Sequence, residues 1–143
     1  SVRVKASNKT PDAAIYISDP IEIEYVIEKK CDEGYLQLGS KILDLFGTWI
    51  TTDAPAFREG EVHQPQPAGK YVYTSFYEPY FFNSGTYKHT LVIGRNGKEV
   101  PIAFQFYSFE IAKDEWIAKA VWGGLPSPLL KRLEWKVEEG DGL

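Results

Sequence analysis

Apolar and polar side chains alternate along most of this chain with a period of two. In Ile21-Glu22-Ile23-Glu24-Tyr25-Val26-Ile27-Glu28 the odd positions are apolar and the even ones mostly acidic. That is the pattern of a strand with one buried and one wet face. Tyr35 to Asp44 follows the turn Lys30-Cys31-Asp32-Glu33-Gly34 and sets Leu36, Leu38 and Ile42 on one side. Leu45-Phe46-Gly47 predicts a turn, and the β-branched run Thr48-Trp49-Ile50-Thr51-Thr52 predicts a strand. Ala54 to Gly69 is a polar loop of sixteen residues with three prolines, longer than the usual connection, and such loops often carry function.

Lys70 to Tyr77 predicts the next strand, and Asn83-Ser84-Gly85 turns the chain into another over Thr86 to Gly94. Arg95-Asn96-Gly97-Lys98 is a hairpin signal, because Asn-Gly suits the positive φ angles of a type I′ turn. Glu99 to Ile111 is the return strand, Val2 to Ala6 and Ala13 to Ile17 are short pieces at the start, and Leu129 to Val137 closes the sheet. Only Ala112 to Val121 has room for a helical turn or two, and Glu138 to Leu143 reads as a frayed tail. Many short strands with turn signals between them predict an all-β fold, an antiparallel β-sandwich of immunoglobulin-like or jelly-roll type.

A chain of 143 residues suits one domain, so residues 1–143 are expected to form a single sandwich. Apolar residues at 43% and charged residues at 25% place it among globular chains rather than disordered ones. Sixteen Lys+Arg against twenty Asp+Glu leave a net charge of -4, which argues against a nucleic-acid partner. No apolar run reaches the ~18 residues of a membrane span. One cysteine, Cys31, gives no intrachain disulfide and fits a reducing compartment. The chain has no methionine, which predicts a piece excised from a longer polypeptide.

Catalytic chemistry is hard to find in this sequence. His63 and His89 fall in a loop and a strand without a third ligand at metal-site spacing. There is no phosphate-cradling glycine loop and no nucleophile elbow. Cys31 sits in a charged turn, and Glu22, Glu24 and Glu28 share one strand face as solvated carboxylates commonly do. These residues give no reason to expect a metal or a cofactor in the domain.

Aromatic residues are the informative feature, at 15% of the chain. Tyr71, Tyr73 and Tyr77 alternate with Val72, Thr74 and Phe76. If Val72 and Phe76 face the core, the three tyrosines stand outside near the long loop. Tyrosine offers a flat ring for sugar C–H faces and a hydroxyl for sugar hydroxyls, at low side-chain entropy cost. The alternative is that tyrosines are good strand residues and pack inward. By the same parity, Tyr87, Leu91 and Ile93 inward put Lys88 and Thr90 outward, and Leu36, Leu38 and Ile42 inward put Gln37 and Lys41 outward. Gln105, between Phe104 and Phe106, is outward if those two are buried. Tyr71, Tyr73, Tyr77, Gln37, Lys88, Thr90 and Gln105 together form the candidate bed for a neutral glycan; an ordinary polar sheet face is the alternative.

The order Ile21-Glu22-Ile23-Glu24-Tyr25, Leu36-Gln37-Leu38-Gly39, Asp44, Phe46-Gly47, Pro67-Ala68-Gly69-Lys70-Tyr71, Asn83-Ser84-Gly85-Thr86-Tyr87 and Leu133-Glu134-Trp135 is similar to the C-terminal domain of Wzt-type proteins. Those proteins are the ATP-binding subunits of bacterial O-antigen polysaccharide ABC transporters. The resemblance spans nearly the whole chain. It implies a β-sandwich that binds the exported lipopolysaccharide O-antigen on the cytoplasmic side of the inner membrane, peripheral to it. It further implies an upstream nucleotide-binding domain that would hold ATP and Mg and contact the transporter's membrane subunit, and a homodimeric parent. Gly123-Gly124-Leu125-Pro126-Ser127-Pro128 before the last strand is a potential hinge for strand exchange in such a dimer. Three other readings remain open: a secreted or enzyme-appended carbohydrate-binding module, a dimerisation domain that binds no sugar, and a sandwich hydrolase or lyase.

Overall fold

The computed structural model describes residues 1–54, 65–96 and 98–120. Eight strands and a short helix follow one another: β1 (Val2–Ala6), β2 (Ile15–Tyr16), β3 (Ile21–Lys29), β4 (Leu36–Leu43), β5 (Trp49–Asp53), β6 (Gly69–Tyr77), β7 (Gly85–Arg95), β8 (Lys98–Ala112) and α1 (Glu115–Ala120). They form a three-stranded sheet in the order β1-β3-β6 and a five-stranded sheet in the order β2-β8-β7-β4-β5. All pairings are antiparallel except the two-residue β2, which runs parallel to β8. The all-β sandwich expected from the alternation is therefore the fold. The strand expected at Leu129 to Val137 and the preceding hinge lie outside the described residues, as do His63 and most of the proline-containing loop.

The two sheets close on a core built from the positions that alternate inward. Ile21, Ile23, Tyr25 and Ile27 of β3 are buried, and they meet Leu38 and Ile42 of β4 and Tyr87 and Leu91 of β7. Each such side chain, fully buried, contributes on the order of 1.5–3 kcal/mol relative to exposure. At one end the packing is aromatic. Phe82 lies 5.1 Å from Tyr77 and 5.2 Å from Tyr87, centroid to centroid, and the Tyr87 ring stacks on Phe109 at 5.7 Å. Tilted and offset rings at these separations suit the aromatic quadrupole.

Two turns set the edges. In the β4–β5 turn Asp44 Oδ1 accepts from the N–H groups of Phe46 (2.9 Å) and Thr48 (2.8 Å), and Gly47 takes φ +82°. The β7–β8 hairpin turns at Asn96, whose φ of 56° suits the expected Asn-Gly turn. Asn96 Oδ1 also accepts from Tyr35 N–H at 3.1 Å, which ties that hairpin to the start of β4. Among the described residues no helix is long and apolar enough to cross a membrane.

Candidate functional site

Strand β6 turns its tyrosines inward. In its pairing with β3, Tyr71 lies opposite Ile27, Tyr73 opposite Tyr25 and Tyr77 opposite Ile21. The inward face of β3 is unambiguous, since its other face carries Glu22, Glu24 and Glu28, and cross-strand partners share a face. Val72 and Phe76 are consequently 62% and 71% exposed. This corrects the expectation that Val72 and Phe76 face the core and that Tyr71, Tyr73 and Tyr77 stand outside. In isolation the strand has apolar groups on both faces; its partner's charges decide which one is buried.

The three tyrosines then have different fates. Tyr77 is part of the core at 8% exposure, and burial raises its phenol pKa well above the ordinary value. Tyr71 is half-buried and donates to the Pro67 carbonyl at 2.7 Å. Tyr73 packs against the core, and its hydroxyl accepts from Gln66 Nε2 at 3.1 Å. Gln66 in turn accepts from Leu36 N–H at 2.9 Å, so one amide ties β6 to β4.

Between the sheets lies a polar cluster. The Tyr25 hydroxyl is 3.0 Å from Ser40 Oγ and 2.9 Å from His89 Nε2, and Ser40 Oγ is also 2.9 Å from Nε2. Ser75 Oγ reaches the same phenol at 3.5 Å. His89 is fully buried, and burial lowers its pKa to about 4, so the imidazole is neutral at physiological pH. Its Nδ1 has no hydrogen-bond partner among the described residues. A proton on Nε2 leaves only an acceptor unmatched, the lesser cost, since orphaned buried N–H groups are the rarer kind. Ser40 beside His89 has the outline of a nucleophile and base. An imidazole with a depressed pKa, and with no partner on Nδ1 among the described residues, is poorly suited to that work at neutral pH.

Tyr25, Ser40 and Ser75 of this cluster line a cleft of about 440 Å³, together with Val72 to Phe76 of β6 and Asp53 and Ala54 at the end of β5. This lies within the ~300–1,000 Å³ typical of small-molecule sites. β6 and β5 are each the last strand of their sheet among the described residues. Leu38, Leu91, Val72 and Phe76 give apolar wall, while Tyr25, Tyr73, Ser40, Thr74 and Ser75 give hydroxyls. Asp53, at the end of β5, adds a carboxylate to the lining; its Oδ1 accepts the Ala54 N–H at 2.8 Å. Burial raises the pKa of Tyr25, and the Asp53 charge adds to that shift. Cysteine chemistry is not part of this site, for Cys31 is exposed in the β3–β4 turn.

The remaining expected site residues are elsewhere. Gln37 and Lys88 stand on the outer face of the five-stranded sheet, Gln37 half-buried and Lys88 exposed. Thr90 shares their parity but is only 7% exposed, as suits the middle strand of the sheet. The backbone register sets Gln105 opposite Leu91, in a different row from Thr90, and its side chain lies outside the described residues. The expected single bed of seven residues is thus divided among the inward row of β6, the outer face of the five-stranded sheet and, for Gln105, the row of Leu91; of the six whose side chains are described, Tyr73 lines the cleft. Sequence reasoning missed Asp53, Ser40, Ser75 and Tyr25. It also missed Trp49, 63% exposed on the β5 edge with the Lys41 ammonium 4.2 Å from its ring centroid. A clue was present in Ser40 and Ser75, polar residues at inward positions of otherwise apolar rows.

No protein-family model matches the sequence, and no curated protein matches it. Solved structures do match. The C-terminal domain of Wzt superposes with a TM-score of 0.74 over 96% of this chain and 81% of that one, at 8% identity. A Bacteroides uniformis beta-glucuronidase 2, in a calcium-binding double mutant, matches with a TM-score of 0.54 over 76% of this chain but 13% of that one, also at 8% identity. The described chain has the β-sandwich fold of the C-terminal domain of Wzt.

Proposed function

We propose that this domain is a non-catalytic carbohydrate-binding domain that recognises O-antigen polysaccharide for export by an ABC transporter. The observation that carries the reading is the cleft, whose lining runs round edge strand β6 from Val72, Thr74 and Phe76 on its outer face to Tyr25, Ser75 and Asp53 on the inward side. A sugar ring presents just such a mixture, a C–H face and a rim of hydroxyls. Val72 and Phe76 would pack against the former; Asp53 and the β6 hydroxyls would orient the latter. The Wzt fold and the order of sequence elements support the transporter context. In that context the domain works on the cytoplasmic side of the inner membrane, in a paired subunit whose nucleotide-binding domain holds ATP and Mg and docks on the membrane subunit.

Affinity for one site is in the micromolar to millimolar range, about -8 to -4 kcal/mol, because an open cleft leaves much of the sugar wet. Calorimetric titration of the O-polysaccharide of the source bacterium into wild type and Asp53→Ala tests the reading. Loss of a charge-assisted hydrogen bond weakens binding by about tenfold or more. Equal affinity in both proteins contradicts the cleft as the site. A second reading, a module appended to a carbohydrate-active enzyme, is favoured by the partial match to the glucuronidase chain. A nucleotide-binding domain encoded immediately upstream separates the two.

A further inference from the structure

Resting on the carbohydrate reading, we infer that the cleft selects uncharged sugar units and rejects acidic ones. Among the described residues that line it, Asp53 is the charged group. No lysine or arginine among those residues lies within salt-bridge distance of it. The cations on the strands at β6 stand in register with carboxylates. Lys5 pairs with Glu22 at 2.9 Å, Glu24 stands between Arg3 and Thr74, and Lys70 is registered against Glu28. The Lys41 ammonium sits over Trp49 on the β4–β5 side.

The other polar groups of the cleft are hydroxyls. Tyr25 is a neutral phenol at physiological pH, as any tyrosine is, and burial raises its pKa further. An ionised carboxylate accepts hydrogen bonds and donates none. The hydroxyl of a neutral hexose gives Asp53 the donor it needs. A sugar carboxylate or phosphate instead brings acceptor against acceptor and like charge against like charge, at the edge of a low-dielectric interior where screening is weak.

The test uses one polymer in two charge states. O-polysaccharide from the source bacterium is titrated into the intact domain before and after selective oxidation of its C6 hydroxyls to carboxylates. The inference expects the oxidised polymer to bind at least about tenfold more weakly, with the gap narrowing to within about threefold for Asp53→Asn. Added salt should narrow it in the wild type as well. Oxidised polymer that binds as tightly as its parent, or more tightly, overturns the inference while leaving carbohydrate binding standing. So does sugar analysis that finds an acidic residue in the bound unit. Failure of the parent polymer to bind contradicts the carbohydrate reading instead.

Discussion

The Tyr25 hydroxyl lies 2.9 Å from His89 Nε2, joining the three-stranded sheet to the five-stranded one through the middle of the core. Ser40 Oγ completes a triangle of hydrogen bonds. A polar cluster inside an apolar interface fixes the relative placement of the sheets, because any slip strands its members without partners. Tyr25→Phe should cost about 1 kcal/mol, the net worth of the lost hydroxyl contacts. His89→Ala adds a cavity and should cost about 2–4 kcal/mol. Urea unfolding of the two variants checks both values.

The same histidine makes stability depend on pH. Its folded pKa of about 4 lies below the ordinary value of 6.5, so between those values the unfolded chain binds more protons. The contribution is fully present above pH 6.5 and is lost as pH falls through about 4. A shift of this size corresponds to about 3 kcal/mol. Urea midpoints measured from pH 7.5 to 4.5 should therefore fall in the wild type. In His89→Leu this component of the slope should be absent.

Tyr77 poses the opposite problem. Its hydroxyl is buried without a hydrogen-bond partner among the described residues. Tyr77→Phe removes an unsatisfied polar group and keeps the ring on Phe81 and Phe82. The variant should be as stable as wild type or gain about 1 kcal/mol, whereas a satisfied hydroxyl would show a loss. Thermal and urea unfolding give the sign directly.

The inverted parity of β6 is itself measurable. Phe76, largely exposed, should tolerate Phe76→Ala within about 0.5 kcal/mol. Tyr73 packs on the core and holds Gln66, so Tyr73→Ala should cost about 1–3 kcal/mol. The reverse order would restore the outward tyrosine row.

Most strands were legible because charge marks one face. In β3 the glutamates fix which side is wet, and β4 and β7 follow the same logic through Gln37, Lys41 and Lys88. β6 was not legible alone: Tyr, Val, Thr, Ser and Phe all suit either face of a strand, and burial was decided by register against β3. The site was less legible for a related reason. Its lining joins Tyr25, Ser40 and Ser75 from three strands, with His89 of a fourth hydrogen-bonded behind them, and proximity across a sandwich leaves no spacing signal in the chain. His89 reads in sequence as a lone histidine and gains meaning only from its partners on the facing sheet.

Glycan is proposed to bind in the cleft at edge strand β6. Backbone amide NMR during titration with the O-polysaccharide of the source bacterium tests it most directly. Binding there should concentrate shifts at Asp53, Ala54 and Val72 to Phe76, with little change at Gln37 and Lys88 on the outer face of the other sheet. Shifts centred on Gln37, Lys88 and Trp49 would contradict it.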